Sequence, residues 1–339
     1  MTDPTIFADR PERFGQVGLL SSPFMRRAGV VFLLGALATV LLVPELFNLA
    51  QTLPFVIFAA FRPAVAVGLL ILAGLTVVAR RRCWPPALAV GLVAALVLGY
   101  VIVSRAIAGT APEPGRTLTL LSFNVYDGNA DVTALARTIG TQRPDLVVLI
   151  EAGEHYRQLL VPVVADLGYR SWTTGIPGGE DVEGILILAA PSLGNISAEP
   201  LYVGTKFHWI QVFGGTLGVT HVVAVHAAAP LPGQMRRWQA DMRTLQRWCG
   251  PGSGPSILIG DFNATLDQSL LRSATSSCVD AAAERGRGLV ATWPSRLPRW
   301  FGLQIDHVFT GGAIAPASLQ ILDLPGSDHR ALLAQVIVP

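Results

Sequence analysis

Three long apolar stretches come first, followed by short apolar runs that end in polar residues, and the chain divides where the pattern changes. Residues 28–49 carry one charge, Glu45, near the end. The second stretch, 54–79, is broken once by Arg62-Pro63, and residues 86–103 carry no charge. A membrane-crossing helix needs about 20 mainly apolar residues, which predicts three transmembrane helices. A cleaved signal peptide would explain only the first. Residues 104–116 are rich in Pro, Gly and small side chains without a period, and read as a linker. The expected organisation is an N-terminal tail and three-helix anchor over 1–103, a linker over 104–116 and a folded domain over 117–339.

Arginines orient the anchor. Arg26-Arg27 precede the first stretch and Arg80-Arg81-Arg82 lie between the second and third. Positive clusters stay cytoplasmic, so both are satisfied only when the third helix exits outward. The expectation is a multi-pass protein of the cell membrane with its C-terminal domain extracytoplasmic. Arg62 and Arg105 then fall on the outer side, against the rule.

Beyond residue 117 the runs predict strands at 118–123, 146–150, 184–188, 209–213, 219–225, 256–259, 305–309 and 332–338. Helices are predicted at 131–140, behind an Asp cap, and at 233–248, where Met235, Trp238, Met242 and Leu245 form one stripe. Charge changes the picture in one respect. Residues 117–339 hold 15 basic and 18 acidic side chains, so the domain lacks the overall basic footprint of a tight polyanion binder. Cys249 and Cys278 either sit as two unpaired buried thiols, the simpler expectation, or bridge if the domain is outside the cytoplasm.

The polar tips carry the chemistry. Asn124, Glu151, His226, and Asp261 with Asn263 follow apolar runs; Asp306 sits within one, and Asp328-His329 precedes the last. Each alone has a turn or cap explanation. Together they can meet on one rim of a sheet, where α/β architectures place their sites. There is no GxSxG elbow, and Lys206, the only lysine, lies in no phosphate-binding loop.

The motifs LSFNV (121–125), PDLVVLIE (144–151), GDFNAT (260–265), IDHVF (305–309) and GSDHRAL (326–332), with a strand ending in His226 between the second and third, resemble the endonuclease/exonuclease/phosphatase superfamily in type and order. That superfamily includes pancreatic-type deoxyribonucleases, neutral sphingomyelinases and inositol polyphosphate 5-phosphatases. The resemblance implies an α/β (α+β) four-layer αββα sandwich and a divalent ion, Mg²⁺ or Mn²⁺, on Glu151 with Asn124 and Asp328 close by. It also implies that Asp261 activates water, Asn263 holds a phosphate oxygen, Asp306 orients His329, and His226 contacts the scissile phosphate. No polar residue follows the strand at 184–188, where many relatives carry Ser-Arg. The acidic segment 178–183 reads as a solvated loop, the alternative being that Glu180, Asp181 or Glu183 supplies a second metal ligand or a partner for His226, and His155, His208, His221 and His307 read as structural. The expected activity is hydrolysis of a lipid or envelope-linked phosphoester at the bilayer. An extracellular nuclease acting on nucleic acid is the alternative, and a catalytically silent sensor is disfavoured by the intact motif residues. No protein partner is inferable.

Overall fold

The computed structural model describes residues 23–79 and 84–338. Arg80–Arg82 and Cys83 lie outside the described residues, as do the side chains of Arg26 and Arg27. The N-terminal part folds as α1 (Pro23–Leu42), α2 (Phe55–Ala60), α3 (Arg62–Ala79) and α4 (Trp84–Arg105). Small residues face inward, with Ala66 and Ala94 fully buried beside Leu42. Large apolar side chains such as Phe32, Leu72, Leu75, Val78, Leu92 and Leu96 point outward and are exposed. That inside-out pattern lets helix backbones approach closely, as in lipid. Among the described residues two helices, Arg62–Ala79 and Pro85–Arg105, are long and apolar enough to cross a membrane. The expectation of three such helices is corrected. The apolar part of α1 is the shorter Gly29–Leu42, because Pro44 opens a 3₁₀ turn that Asn48 ends at φ 57°. The run of apolar residues to 49 had concealed that break.

From Arg116 the chain builds two six-stranded sheets. Its strands are β1 (Arg116–Asn124), β2 (Leu146–Ile150), β3 (Arg170–Thr173), β4 (Ile185–Ala189), β5 (Ile196–Leu201), β6 (Trp209–Gly214), β7 (His221–His226), β8 (Ser256–Asp261), β9 (Cys278–Asp280), β10 (Asp306–Gly311), β11 (Ala315–Leu322) and β12 (Ala331–Val338). The sheet orders are β11-β12-β1-β2-β4-β3 and β5-β6-β7-β8-β10-β9. Between the strands run α5 (Val132–Gln142), α6 (Glu154–Val163), α7 (Met235–Thr244), α8 (Gln246–Cys249), α9 (Ser269–Ala274) and α10 (Ala281–Glu284). Alternate side chains explain the stacking. Leu120, Val148, Ile187, Ala224 and Ile259 fill the space between the sheets. Their neighbours Leu121, Val147 and Leu149 pack under Leu135 and Leu160 of α5 and α6. On the other side Val223, Val225 and Leu258 pack under Trp238, Met242 and Leu271 of α7 and α9. Central strands covered on both faces are apolar throughout, which is why they stood out in the sequence. The predicted Asp cap is present, with Asp131 accepting from the Ala134 N–H.

The helical part and the sandwich share a core and a buried ionic seam. Val56 of α2 is fully buried among Trp238, Phe262 and Leu271. Arg105, at the end of α4, makes a bidentate pair with Asp267 at 2.6 and 3.0 Å. Arg62, at the start of α3, bonds Glu45 at 2.5 Å and lies 3.8 Å from Asp267, while Arg272 reaches Glu45 at 3.0 Å. Arg62 and Arg105, the two exceptions to the charge rule, are therefore neutralised by carboxylates at the same end of the helices as the sandwich. Cys249 and Cys278 form a disulfide across a 29-residue separation, which corrects the expectation of free thiols. Segment 178–183 is also less solvated than expected: Asp181 is buried, accepts from the Tyr156 N–H and pairs with His155.

Candidate active site

Register brings the polar tips together. His226, Asp261 and Asp306 end or begin the adjacent strands β7, β8 and β10, and pair directly across the ladder. Asn124 and Glu151 come from the ends of β1 and β2 in the other sheet, so the site straddles the junction of the two sheets. Gly260 makes the bend possible. Its φ is 139°, and a Cβ there would lie 2.1 Å from the Val225 carbonyl oxygen. Glu151 and Asn263 hold left-handed conformations at φ 59° and 46°. Such conformations cost on the order of 1–3 kcal/mol and persist where surrounding contacts enforce them. Here the Asp127 N–H donates to Glu151 Oε2 at 2.8 Å, and the Asn263 N–H to Asp261 Oδ1 at 2.8 Å.

The side chains interlock across the junction. Asn124 Nδ2 donates to Glu151 Oε1 and to Asp261 Oδ2, both at 3.0 Å, while its oxygen accepts from the Tyr126 N–H. In this arrangement Asn124 bridges two carboxylates with its amide nitrogen instead of offering an oxygen to a cation. His329 Nδ1 meets Asp306 Oδ2 at 2.9 Å, and its Nε2 lies 3.9 Å from both Asp261 and Asp328. His226 Nε2 is 3.7 Å from Glu151 Oε1. Asp328 Oδ2 accepts from Trp293 Nε1 at 2.9 Å, whereas its buried Oδ1 has no partner. Asn263 Nδ2 donates to the Ala227 carbonyl at 3.0 Å. All eight expected residues thus gather at one end of the sandwich. His307 points to the opposite face, where it bonds Asp280 at 2.8 Å and the Ala264 carbonyl at 2.9 Å.

Four carboxylates in so small a volume disturb one another. Burial, then the charge of Asp306, pushes the Asp261 carboxyl up to about 7, against the pull of His329, Asn263 and Asn124. Burial likewise raises Glu151, opposed by Asn124 and the Asp127 N–H. Burial disfavours the charged His329 ring, yet Asp306, Asp261 and Asp328 outweigh it and hold its pKa up to about 10. His226 goes the other way, pushed down to about 3 by burial and then by Lys206 and His329. The site therefore pairs one imidazolium with one neutral imidazole.

Among the described residues two groups of side chains could hold a cation, Glu151–His226–Asp261 and Asp261–Asp306–His329, their ligand atoms lying within 4.8 Å of one another in each. Asp261 belongs to both, a centrality that motif order alone did not convey. Several contributors were missed in the sequence. Asp127 donates only its backbone to Glu151, and Trp293 reaches Asp328 from 35 residues away. Phe207 stacks on His226 with centroids 3.9 Å apart and planes 4° from parallel. Nothing in the spacing of Trp293 or Phe207 announces these contacts.

The sequence matches the Endonuclease/Exonuclease/phosphatase family over residues 121–329. The chain belongs to that family. Family members are metal-dependent hydrolases of phosphoester bonds, and so is this chain. Solved structures with this fold include humanized D. rerio TDP2, 17% identical with a TM-score of 0.53, covering 66% of this chain and 99% of that one. D. rerio TDP2 complexed with single strand DNA product is 18% identical with a TM-score of 0.51, covering 66% and 99%. A family protein from Leptotrichia buccalis is 14% identical with a TM-score of 0.50, covering 65% and 100%. At these identities the likeness shows the fold alone. No curated protein matches the chain in sequence.

Proposed function

We propose that the chain is a membrane-anchored phosphoesterase, residues 117–339 standing outside the cytoplasm and cleaving a lipid or envelope-linked phosphate at the bilayer surface. One observation carries this reading: the loop after β8 holds both the chemistry and the anchor. Asp261 and Asn263 belong to the site, while Asp267 is clamped by Arg105 and Gln268 Nε2 donates to the Val56 carbonyl. Asp267 lies six positions after Asp261, a reach of at most about 20 Å. The site is thus tied to the helix ends and cannot roam. The outward-facing apolar side chains of α3 and α4 support membrane spanning by these two helices. The disulfide supports an oxidising, extracytoplasmic compartment.

The donor set suits a hard divalent cation such as Mg²⁺ or Mn²⁺, and the unpartnered buried oxygen of Asp328 is an acceptor such an ion would satisfy. Glu151 and Asp328, with Asp261 adjacent, would hold the ion, which when bound supplies charge cancellation and Lewis acidity at a phosphate oxygen. Asp261 accepts the proton of the attacking water as the water oxygen bonds to phosphorus; the ester P–O bond breaks, its electron pair leaves with the alcohol oxygen, and that oxygen takes a proton from solvent. Asp306 fixes His329 with Nε2 turned into the site, where its positive charge stabilises the phosphorane-like transition state. Neutral His226 donates an N–H to a nonbridging oxygen, and the Asn263 amide holds another.

The test uses the full chain in lipid nanodiscs, with EDTA or added Mg²⁺ or Mn²⁺, on bis-p-nitrophenyl phosphate, phosphatidyl lipids, sphingomyelin, polyprenyl pyrophosphate and DNA. Metal-dependent turnover of at least one lipid is expected. The ion should also raise unfolding stability by about 2.7 kcal/mol at a hundredfold excess over its Kd. Cleavage of DNA with none of any lipid would make the chain a nuclease; no turnover with either metal would end the reading.

A further inference from the structure

We propose that Lys206 binds the extra anionic oxygen of a phosphomonoester, so that the site takes a terminal lipid phosphate in preference to a diester. This rests on the phosphoesterase reading above and narrows its substrate.

Lys206 lies on the loop between β5 and β6 and is the only lysine in the chain. Its position is built. Asp241 of α7 is fully buried, and its two oxygens accept from the Lys206 N–H at 3.2 Å and the Ala228 N–H at 2.8 Å. The neighbouring Ala227 donates its N–H to the Asp261 carbonyl and accepts from Asn263 Nδ2. Asp241 thereby staples the Lys206 loop to the segment that carries His226 and supports Asn263. Phe207 walls off His226 by stacking on it, and Lys206 Nζ stands 4.4 Å from the Phe207 ring centroid. Among the described residues no carboxylate pairs with Nζ, and the side chain is exposed.

Arg330, beside His329, is spent on Asp323 and the carbonyls of Ala291, Ser295 and Leu297. Strand β4 presents only buried apolar side chains. The exposed charge of Lys206, standing on the Phe207 ring, is what the Phe207 wall offers an incoming anion. A phosphomonoester carries close to two negative charges at neutral pH, a diester one. A lysine ammonium on a flexible stem suits that additional oxygen as a point charge. It also repels the cationic end of a zwitterionic headgroup.

Because Lys206 is unique, an amine-acylating reagent read by peptide mass spectrometry reports on it directly. In the full chain with Mg²⁺, inorganic phosphate should slow its acylation about fivefold or more, while dimethyl phosphate at equal concentration should protect little. Kinetically, Lys206→Met should raise KM for p-nitrophenyl phosphate about tenfold with kcat nearly unchanged, leave bis-p-nitrophenyl phosphate unaffected, and be largely rescued by Lys206→Arg. In nanodiscs the same variant should narrow the preference for phosphatidate over phosphatidylcholine. An unprotected lysine, or equal losses on monoester and diester, would overturn the proposal while leaving metal-dependent hydrolysis standing. Protection by phosphate without any turnover would do the reverse, sinking the hydrolase reading and keeping the anion site.

Discussion

The two buried ionic clusters of this molecule stand at either end of one loop and are opposite in balance. At the seam, two carboxylates, Glu45 and Asp267, face three guanidiniums from Arg62, Arg105 and Arg272. At the site, four carboxylates, Glu151, Asp261, Asp306 and Asp328, face one imidazolium at His329. Burying a charge is costly unless it is paired. The seam meets that condition with its own residues, and so reads as structure. The site does not, and a cluster that leaves carboxylates in excess is arranged for a cation the chain does not encode. Balance, more than burial, separates scaffold from chemistry here.

Removing a carboxylate from each cluster should break the comparison most sharply. Glu151→Gln should cost about 10³-fold in kcat/KM, roughly 4 kcal/mol of transition-state stabilisation, since it deletes a charge that would hold the ion. The same change should leave the unfolding temperature in EDTA unchanged or higher, because it relieves repulsion with Asp328 and a buried desolvated charge. Turnover measured beside a melt in EDTA reads both. A variant that lost activity only by melting early would place Glu151 in the scaffold.

The seam should answer the other way. Asp267→Asn strands Arg105 without a full counter-charge in a buried setting and should destabilise the full chain by about 3–5 kcal/mol. Replacing both partners, Arg105→Met with Asp267→Leu, should recover much of that loss, since a well-packed apolar pair can substitute for a buried ion pair. Turnover per folded molecule at low temperature should fall far less than in Glu151→Gln. Unfolding in mild detergent measures the first two, and equal stability of single and double variants would show that pairing is not what the seam contributes.

What the sequence made legible follows from the same physics. Eight strands were predicted and twelve are present among the described residues. The four unpredicted ones, Arg170–Thr173, Ile196–Leu201, Cys278–Asp280 and Ala315–Leu322, are the four edges of the two sheets. Edge strands are half solvated; three of these carry Arg, Pro, Glu or Gln and Cys278–Asp280 is only three residues long, so their apolar signal fades. The site residues were visible because motif order survives in the chain. The seam was not: Arg105 and Asp267 are 162 residues apart, and each in isolation resembles an ordinary surface charge. Phe207 and Trp293 were hidden for a similar reason, since an aromatic residue announces burial without naming its partner.

A third buried pair sharpens the contrast, because it is balanced one to one and titrates. His307 and Asp280 are held at 2.8 Å with the Ala264 carbonyl on the other ring nitrogen. Burial opposes the charged His307 ring, but the Asp280 charge and hydrogen bond, the Ala264 carbonyl and Asp306 together raise its pKa above the ordinary 6.5. A histidine whose pKa rises on folding adds stability that is fully present below its unfolded pKa and is lost as pH climbs through the folded value. The chain in EDTA should therefore unfold progressively more easily from about pH 6.5 upward. His329, held up to about 10, contributes in the same direction from the same starting point up to about pH 10. His307→Gln should start from a lower unfolding temperature yet show a shallower decline, with the His329 part remaining. Melts of both proteins across that range provide the measurement. An unchanged slope in the variant would mean that His307 is neutral in the fold, and that the Asp280 contact is a hydrogen bond without the charge assigned to it.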